Sequence, residues 1–305
     1  MRRAHSVVCA VTAVAAALVT GCTHGTDTRA ATSAAQEAEL REPTYVEELR
    51  LSDAQQRLIR RCMADQGFTY HVYRPLTPEE HHPVGYVQDD VAWAREHGYG
   101  SRIQAKADKA RLGNPNITYR KSLSGKRRES YDTALDGGAT ARLISAKVPD
   151  GGTYSKQAGG CVGEAEEQLY GDLETWFAAD KTATGLRARA MDAVLKDTRF
   201  TAAVKRWSAC MQRAGHAYTD PAAAREAVRD QAQRLPEKQA FEAERKVSVS
   251  DAVCARETSL RTVAEEREAH HIDRLRGEYG DALDTVRRIQ RDALARAERI
   301  ADRHS

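Results

Sequence analysis

The chain has 305 residues, of which 47 are Lys or Arg and 44 are Asp or Glu, and only 6% are aromatic. Charge so finely mixed leaves no basic footprint for nucleic acid, and the length suits one large or two small domains. Heavy use of Ala, Arg and Glu points to helices rather than sheets.

At the N-terminus, Arg2 and Arg3 precede a small-residue apolar stretch over residues 6–18. That stretch has signal-peptide length and is too short to span a bilayer. It closes on Val19-Thr20-Gly21-Cys22, which reads as a lipobox. Small Thr20 and Gly21 open the backbone to a membrane-embedded peptidase, and the Cys22 thiol is the nucleophile that takes a diacylglyceryl group. Residues 1–21 are therefore expected to be a cleaved signal peptide and Cys22 the lipidation site, anchoring the protein on the extracytoplasmic face of the cell membrane through two acyl chains. Ala4-His5-Ser6 fits a twin-arginine signal poorly, which favours general secretion. Residues 22–44 are rich in Ala, Thr, Ser and Gln, with no Leu before Leu40, and read as a flexible tether. Loss of Arg2 and Arg3 with the signal takes 47 cationic residues to 45, against 44 acidic ones.

With Cys9 removed and Cys22 lipidated, Cys62, Cys161, Cys210 and Cys254 remain. An even number outside the cytoplasm predicts disulfides, in one of three pairings. The neighbourhoods favour one. Residues 62–70 and 210–218 share Cys-Met-x-x-x-Gly-x-x-Tyr at an offset of 148, an internal repeat. In the first copy Ser52 is expected to cap a helix with Leu58, Ile59, Cys62 and Met63 facing inward, stopped by Gly67. In the second, Asp197 caps, Phe200, Val204, Trp207, Met211 and Ala214 form an apolar seam, and Gly215 stops the helix. Cys161, after Gly159-Gly160, and Cys254 each sit in or near the start of a second helical segment. Cys62–Cys161 and Cys210–Cys254 would then tie helix A to helix B within each copy. The fold class expected is mainly α, with two unequal helix-pair units over residues 45–178 and 179–305.

Between the first pair of cysteines lies an irregular, turn-rich insertion over residues 71–160, with short helices expected at 89–97 and 126–135. Long connections of this kind often carry binding surfaces, which places a candidate surface on Tyr86, Trp93, Tyr99, Tyr119 and Tyr131. The competing expectation is that these aromatics pack the insertion onto the helices. In the second unit Asp220-Pro221 starts a helix and Pro236 restarts it. A long helical stretch then runs toward His304, with Ile272, Leu275, Tyr279, Leu283, Val286, Ile289 and Ile300 in a three-to-four rhythm. The charge run from Glu265 to His271 reads as a solvated face.

Together, the lipobox, Trp207-x-x-Cys210-Met211-x-x-x-Gly215, the stretch from Ser122-Leu123-Ser124 through Tyr131-x-x-Ala134-Leu135-x-Gly137, and Gly160-Cys161-x-x-Glu164-Ala165 followed by Tyr170-Gly171 resemble the uncharacterised secreted lipoproteins common in actinobacteria. The resemblance spans residues 52–260. It implies secretion and lipidation and brings no catalytic residue, cofactor or metal ligand.

Chemical motifs are sparse. The chain has no Gly-x-Ser-x-Gly elbow, P-loop, dinucleotide fingerprint or Cys-x-x-Cys, and the adjacent histidines at 81–82 and 270–271 lack the i, i+4 spacing of a helical zinc site. No catalytic residue, metal ligand or cofactor is assigned. The leading expectation is a non-enzymatic lipoprotein that binds an envelope protein or cell-wall partner. Two alternatives stand beside it. One is an envelope hydrolase in whose insertion His81, His82 or His97 meets Asp89, Asp90 or Glu96. The other is a metal- or small-ligand-binding lipoprotein using the histidine pairs.

Overall fold

A computed structural model describes residues 41–149 and 151–302. Cys9, the expected signal peptide, Cys22 and the tether as far as residue 40 lie outside the described residues, as does His304. The first helix, α1 (Tyr45–Asp65), begins about two turns before Ser52. Thr44 forms a capping box with Glu47: its hydroxyl accepts from Glu47 N at 3.3 Å while Glu47 Oε2 accepts from Thr44 N at 2.7 Å. Ser52 is interior because the buried stripe Leu51, Ala54, Leu58, Ile59 and Met63 reaches back past it.

The chain continues through α2 (Val91–His97), α3 (Ser101–Leu112), α4 (Pro115–Ser122) and α5 (Gly125–Asp136), then a hairpin of β1 (Arg142–Lys147) and β2 (Thr153–Ala158). After it come α6 (Gly160–Tyr170), α7 (Leu173–Lys196), α8 (Thr198–Arg213), α9 (Pro221–Ala232), α10 (Glu237–Glu257), α11 (Leu260–Asp273) and α12 (Arg276–Asp302). The protein is mainly helical, as its composition implies. The single long helix expected after Pro236 is instead three. Ser259 adopts a left-handed φ of 52° between α10 and α11, and a turn at Arg274–Leu275 separates α11 from α12. These breaks let α11 pack on α7 and α8 while α12 runs along α7 to reach α1 and α6.

Both disulfides join the expected cysteines. Cys62–Cys161 links α1 to α6 and Cys210–Cys254 links α8 to α10, with Cα atoms 5.5 and 5.6 Å apart. The sequence repeat is also a structural one. Each A helix ends with the same bonds: Phe68 N donates to Met63 O at 2.8 Å and His216 N to Met211 O at 2.9 Å, around Gly67 and Gly215 at φ 74° and 85°. Each partner cysteine is followed three residues later by a glutamate against the first sulfur, Glu164 at 3.4 Å from Cys62 Sγ and Glu257 at 3.5 Å from Cys210 Sγ.

The chain does not part at 178/179. Helix α7 runs through that position, and the described residues from Glu42 onward form one compact unit. Its two largest cores exchange elements across the expected boundary. The first-copy core of Leu58, Met63, Phe68, Tyr131 and Leu169 is completed by Ala293 and Ala297 of α12. The second-copy core of Phe200, Trp207, Met211, Val228 and Leu260 takes Val87 from the insertion, with Tyr86 and Tyr99 packed against it. A smaller core of Ile144, Ala146, Leu173 and Phe177 holds the hairpin on α7. Backbone approach is tightest at Gly160, where φ is +57° and a Cβ would stand 2.7 Å from Ala134 O and Gly137 N, so α6 can start against the end of α5 only with glycine there.

The charge run on α11 is covered rather than solvated over part of its length. Arg267 Nε and His271 Nε2 lie 2.9 and 3.2 Å from Asp197 Oδ2, whose side chain is 10% exposed. Burial raises the Asp197 pKa, but the hydrogen bonds from Arg267, from the amides of Arg199 and Phe200 at the start of α8, and from His271 outweigh it and bring the value down to about 2. His271 is thus part of a structural lock on the α8 cap. Among the described residues, no helix is long and apolar enough to cross a membrane.

Candidate functional site

The insertion is not an irregular flap. Residues 85–90 are fastened to the second unit by three arginines that donate to alternate carbonyls: Arg225 Nη1 to Gly85 O at 2.7 Å, Arg261 Nη2 to Val87 O at 3.0 Å and Arg256 Nη2 to Asp89 O at 3.0 Å. Asp90 then caps α2 by accepting from Trp93 N at 3.0 Å. Between α2 and α3 the chain reverses through Gly98 and Gly100, at φ 65° and 92°. Glu244 of α10, 4% exposed, holds this reversal by accepting from Tyr99 N at 2.7 Å, from Ser101 N at 3.1 Å and from the Ser101 hydroxyl. A Cβ on Gly98 would come within 2.8 Å of that carboxylate.

These constraints leave a cavity of about 760 Å³ between the insertion and helices α9 and α10. Tyr86, Trp93 and Tyr99 wall it on the insertion side together with Leu76, Val84 and Ile103, and Ala222, Arg225, Val228 and Arg229 wall it from α9. The size falls in the range of small-molecule sites, and the aromatic and aliphatic groups share the wall with polar ones that include His81, His82, Gln104 and Arg229. Its two carboxylates are already committed, Glu244 to the reversal and Glu80 to Lys106 Nζ at 2.7 and 2.6 Å. The Lys106 contact and the Thr77 amide hold the half-buried Glu80 carboxyl below its ordinary pKa.

Behind the wall lies Asp251, with no exposed surface. Tyr99 Oη donates to its Oδ2 at 2.9 Å and Trp207 Nε1 to its Oδ1 at 2.8 Å. Burial pushes the carboxyl up to about 6, against the lowering pull of Tyr99, Arg225 and Trp207. The Tyr99 hydroxyl is held protonated, first by its own burial and then by the negative charge and hydrogen bond of Asp251.

Of the five aromatics expected to form a binding surface, Tyr86, Trp93 and Tyr99 share this cavity. Tyr119 and Tyr131 do not. They lie in the first-copy core, where Tyr131 is 1% exposed and meets Phe68 edge-on at 5.4 Å and Tyr119 at 5.8 Å, because α4 and α5 fold back on that core. The histidine–carboxylate set is also dispersed. His81 and His82 line the cavity, but Asp89 pairs with Arg261 at 2.7 Å and Asp90 is spent as a cap. His97 Nε2 stands 3.9 Å from carboxylate oxygens of both Glu96 and Glu79, beyond hydrogen-bonding distance. Glu79, Glu96 and His97 are a three-group cluster with two exposed members and carry no site by themselves.

Arg225, Glu244 and Asp251 were not visible as site residues in the sequence. Asp251 did leave a signal, as the one charged residue in the run from Val247 to Ala255. Arg225 and Glu244 sit in helices dense with Arg and Glu, where nothing sets them apart. Comparison with family models, curated proteins and solved structures finds no match to this chain.

Proposed function

We propose that the protein is a lipid-anchored, extracytoplasmic binding protein, akin to the secreted actinobacterial lipoproteins its motifs resemble, and that it acts without catalysis through the cavity between the insertion and helices α9 and α10. The observation that carries this reading is the chemistry of the cavity wall. Aromatic and aliphatic side chains make up much of it, and its two carboxylates are each engaged by structural partners, Glu244 by the chain reversal and Glu80 by Lys106. Two disulfides favour an oxidising compartment. Tyr119 and Tyr131, being core residues, are not part of the proposed binding surface.

Two measurements test the two halves of the proposal. In detergent phase separation, the wild-type protein should partition with the detergent and Cys22→Ser with the aqueous phase. Equal partitioning would remove the anchor. Native mass spectrometry of protein recovered from the envelope should show a non-covalent small-molecule adduct that weakens in Ile103→Trp, where the indole intrudes on the cavity. An adduct-free wild-type spectrum would remove the small-molecule cavity function.

A further inference from the structure

Charges balance over the whole chain but not along it. Residues 109–128 hold seven Lys or Arg and no Asp or Glu. This run covers the end of α3, all of α4 and the start of α5, and neither α3 nor α4 has a buried residue. Part of its charge is committed to the fold: Arg120 binds Asp132, Arg127 donates to Gly67 O, and Arg128 donates to the carbonyls of Arg120, Lys121 and Leu123. The side chains of Lys109 and Lys121 are exposed and make no hydrogen bond or ion pair among the described residues, and Arg111 reaches only Asp108, at 4.0 Å.

Apolar surface gathers at the same corner. Seven large apolar side chains are exposed among the described residues, and three of them adjoin it: Leu112, 74% exposed, ends α3; Ile117, 41% exposed, lies in the first turn of α4; and Val72 follows His71. Lys109 stands three residues before Leu112 and Lys121 four after Ile117, so each apolar side chain shares a helix face with a lysine. The corner is held in place. His71 N donates to Asn116 Oδ1 at 2.7 Å, Asn116 Nδ2 donates to His71 O at 2.9 Å, and Tyr119 packs α4 on the first-copy core. Cations around exposed apolar side chains match a bilayer interface, where phosphate heads meet the charge and the acyl boundary takes the hydrocarbon. A corner between two short helices offers too little area for a stable protein interface, which needs roughly 800 Å² from each partner.

We propose that the corner of α3 and α4 is a membrane contact, in which Lys109, Arg111 and Lys121 meet the anionic phosphate heads of a bilayer and Leu112 and Ile117 enter its interface. A lipid anchor at Cys22 holds the chain at a membrane without orienting its body; this corner orients it. Helix α3 also walls the cavity through Ile103 and Gln104, so the contact keeps the cavity close to the bilayer. From the proposed function it takes only the nearness of a membrane.

The test uses the mature chain from residue 22 carrying Cys22→Ser, so that no acyl group contributes, and sedimentation with vesicles of phosphatidylcholine alone or with phosphatidylglycerol added. At low salt the chain should bind the anionic vesicles at least about tenfold more tightly than the neutral ones, and added salt should erase the difference. Lys109→Gln combined with Lys121→Gln should weaken that binding at least about tenfold, since each cation near an anionic surface contributes about fivefold. Leu112→Ser should weaken it by about fivefold. Lys205→Gln combined with Arg206→Gln, which removes the same charge from the exposed face of α8, should change it by less than about twofold. All of these side chains are exposed, so an unchanged urea transition is expected in every variant. Equal binding to both vesicles, or equal losses in the two double variants, would overturn the contact. A loss through the lysines with none through Leu112→Ser would mark a surface for a soluble anionic polymer and overturn the bilayer assignment. Detergent phase separation of the acylated protein decides the Cys22 anchor separately.

Discussion

Replacing Cys62 and Cys161 together with alanine is expected to lower the unfolding free energy by about 4–5 kcal/mol, and removing Cys210–Cys254 in the same way by a similar amount. Loop closure alone would rank them otherwise. Separations of 99 and 44 residues give roughly 4.7 and 4.0 kcal/mol in the chain-entropy model. That difference of about 0.7 kcal/mol is smaller than the packing term that opposes it. Cys210 and Cys254 are 6% and 1% exposed in the core around Trp207, so the loss of both leaves a void, whereas in the first bridge only Cys161, at 1%, is fully buried and Cys62 is partly buried. The two loops do not overlap in sequence, so the entropic losses should add. Together they approach or exceed the 5–15 kcal/mol typical of a whole domain. Urea titration followed by near-ultraviolet circular dichroism should therefore show two weakened but cooperative single-bridge variants, and loss of the cooperative transition when both bridges are reduced and alkylated. A fully reduced protein that kept its transition within about 2 kcal/mol of the oxidised one would contradict this account.

That dependence also explains why the cysteines were the most legible part of the sequence. A bridge between helices fixes local surroundings on both sides, so the duplicated Cys-Met-x-x-x-Gly ending could be read without any knowledge of the packing. The α8 cap at Asp197 and the stops at Gly67 and Gly215 were legible for the same reason, since each is satisfied by bonds within a few residues. Ser52 misled because a capping residue is recognisable only relative to where the apolar stripe begins, and Thr44 with Glu47 offered a better box further upstream. Helix α7 escaped notice because much of its buried face is Ala179, Ala183 and Ala190, which mark a close-packed helix but give a faint periodicity. The hairpin was announced mainly by Pro149-Asp150-Gly151-Gly152, a turn signal between two short strands, only one of which carries buried residues. What no local pattern could reveal was the exchange between the two copies. Val87 enters the second core and Ala293 the first because helices from opposite ends of the chain meet there, and the cavity is a product of that exchange. Its polar members, Arg225, Glu244 and Asp251, acquire their roles only from neighbours about 140–152 residues away.

Asp251→Asn should change the pH dependence of stability more than that of any other single carboxylate. The native carboxyl is fully buried and titrates near 6 instead of 3.8, so the folded state holds a proton that the unfolded chain has already released. Its favourable contribution is therefore complete below about pH 4 and is lost as pH rises through about 6. A shift of about two units corresponds to roughly 3 kcal/mol. Asp197 has the opposite sign, contributing stability above its ordinary 3.8 that disappears only as pH falls toward 2, outside this window. Glu268, also raised by burial, and His216, lowered by burial, contribute to the absolute profile of both proteins and cancel in the comparison. Asparagine can still accept from Trp207 Nε1 and can donate to Tyr99 Oη, so the variant keeps both contacts without the titrating proton. Urea titrations from pH 4 to 7 should show Asp251→Asn gaining about 2.4 kcal/mol of that relative to the wild type, with tryptophan fluorescence as the probe; a difference that stayed flat would mean that the carboxyl is not held neutral by burial. At neutral pH the wild-type protein therefore carries a buried charge at a sizeable cost in stability. The physical return is orientation: an ionised Asp251 binds the Tyr99 hydroxyl more strongly than a neutral amide would, and Tyr99 supports the Arg225 guanidinium in the cavity wall.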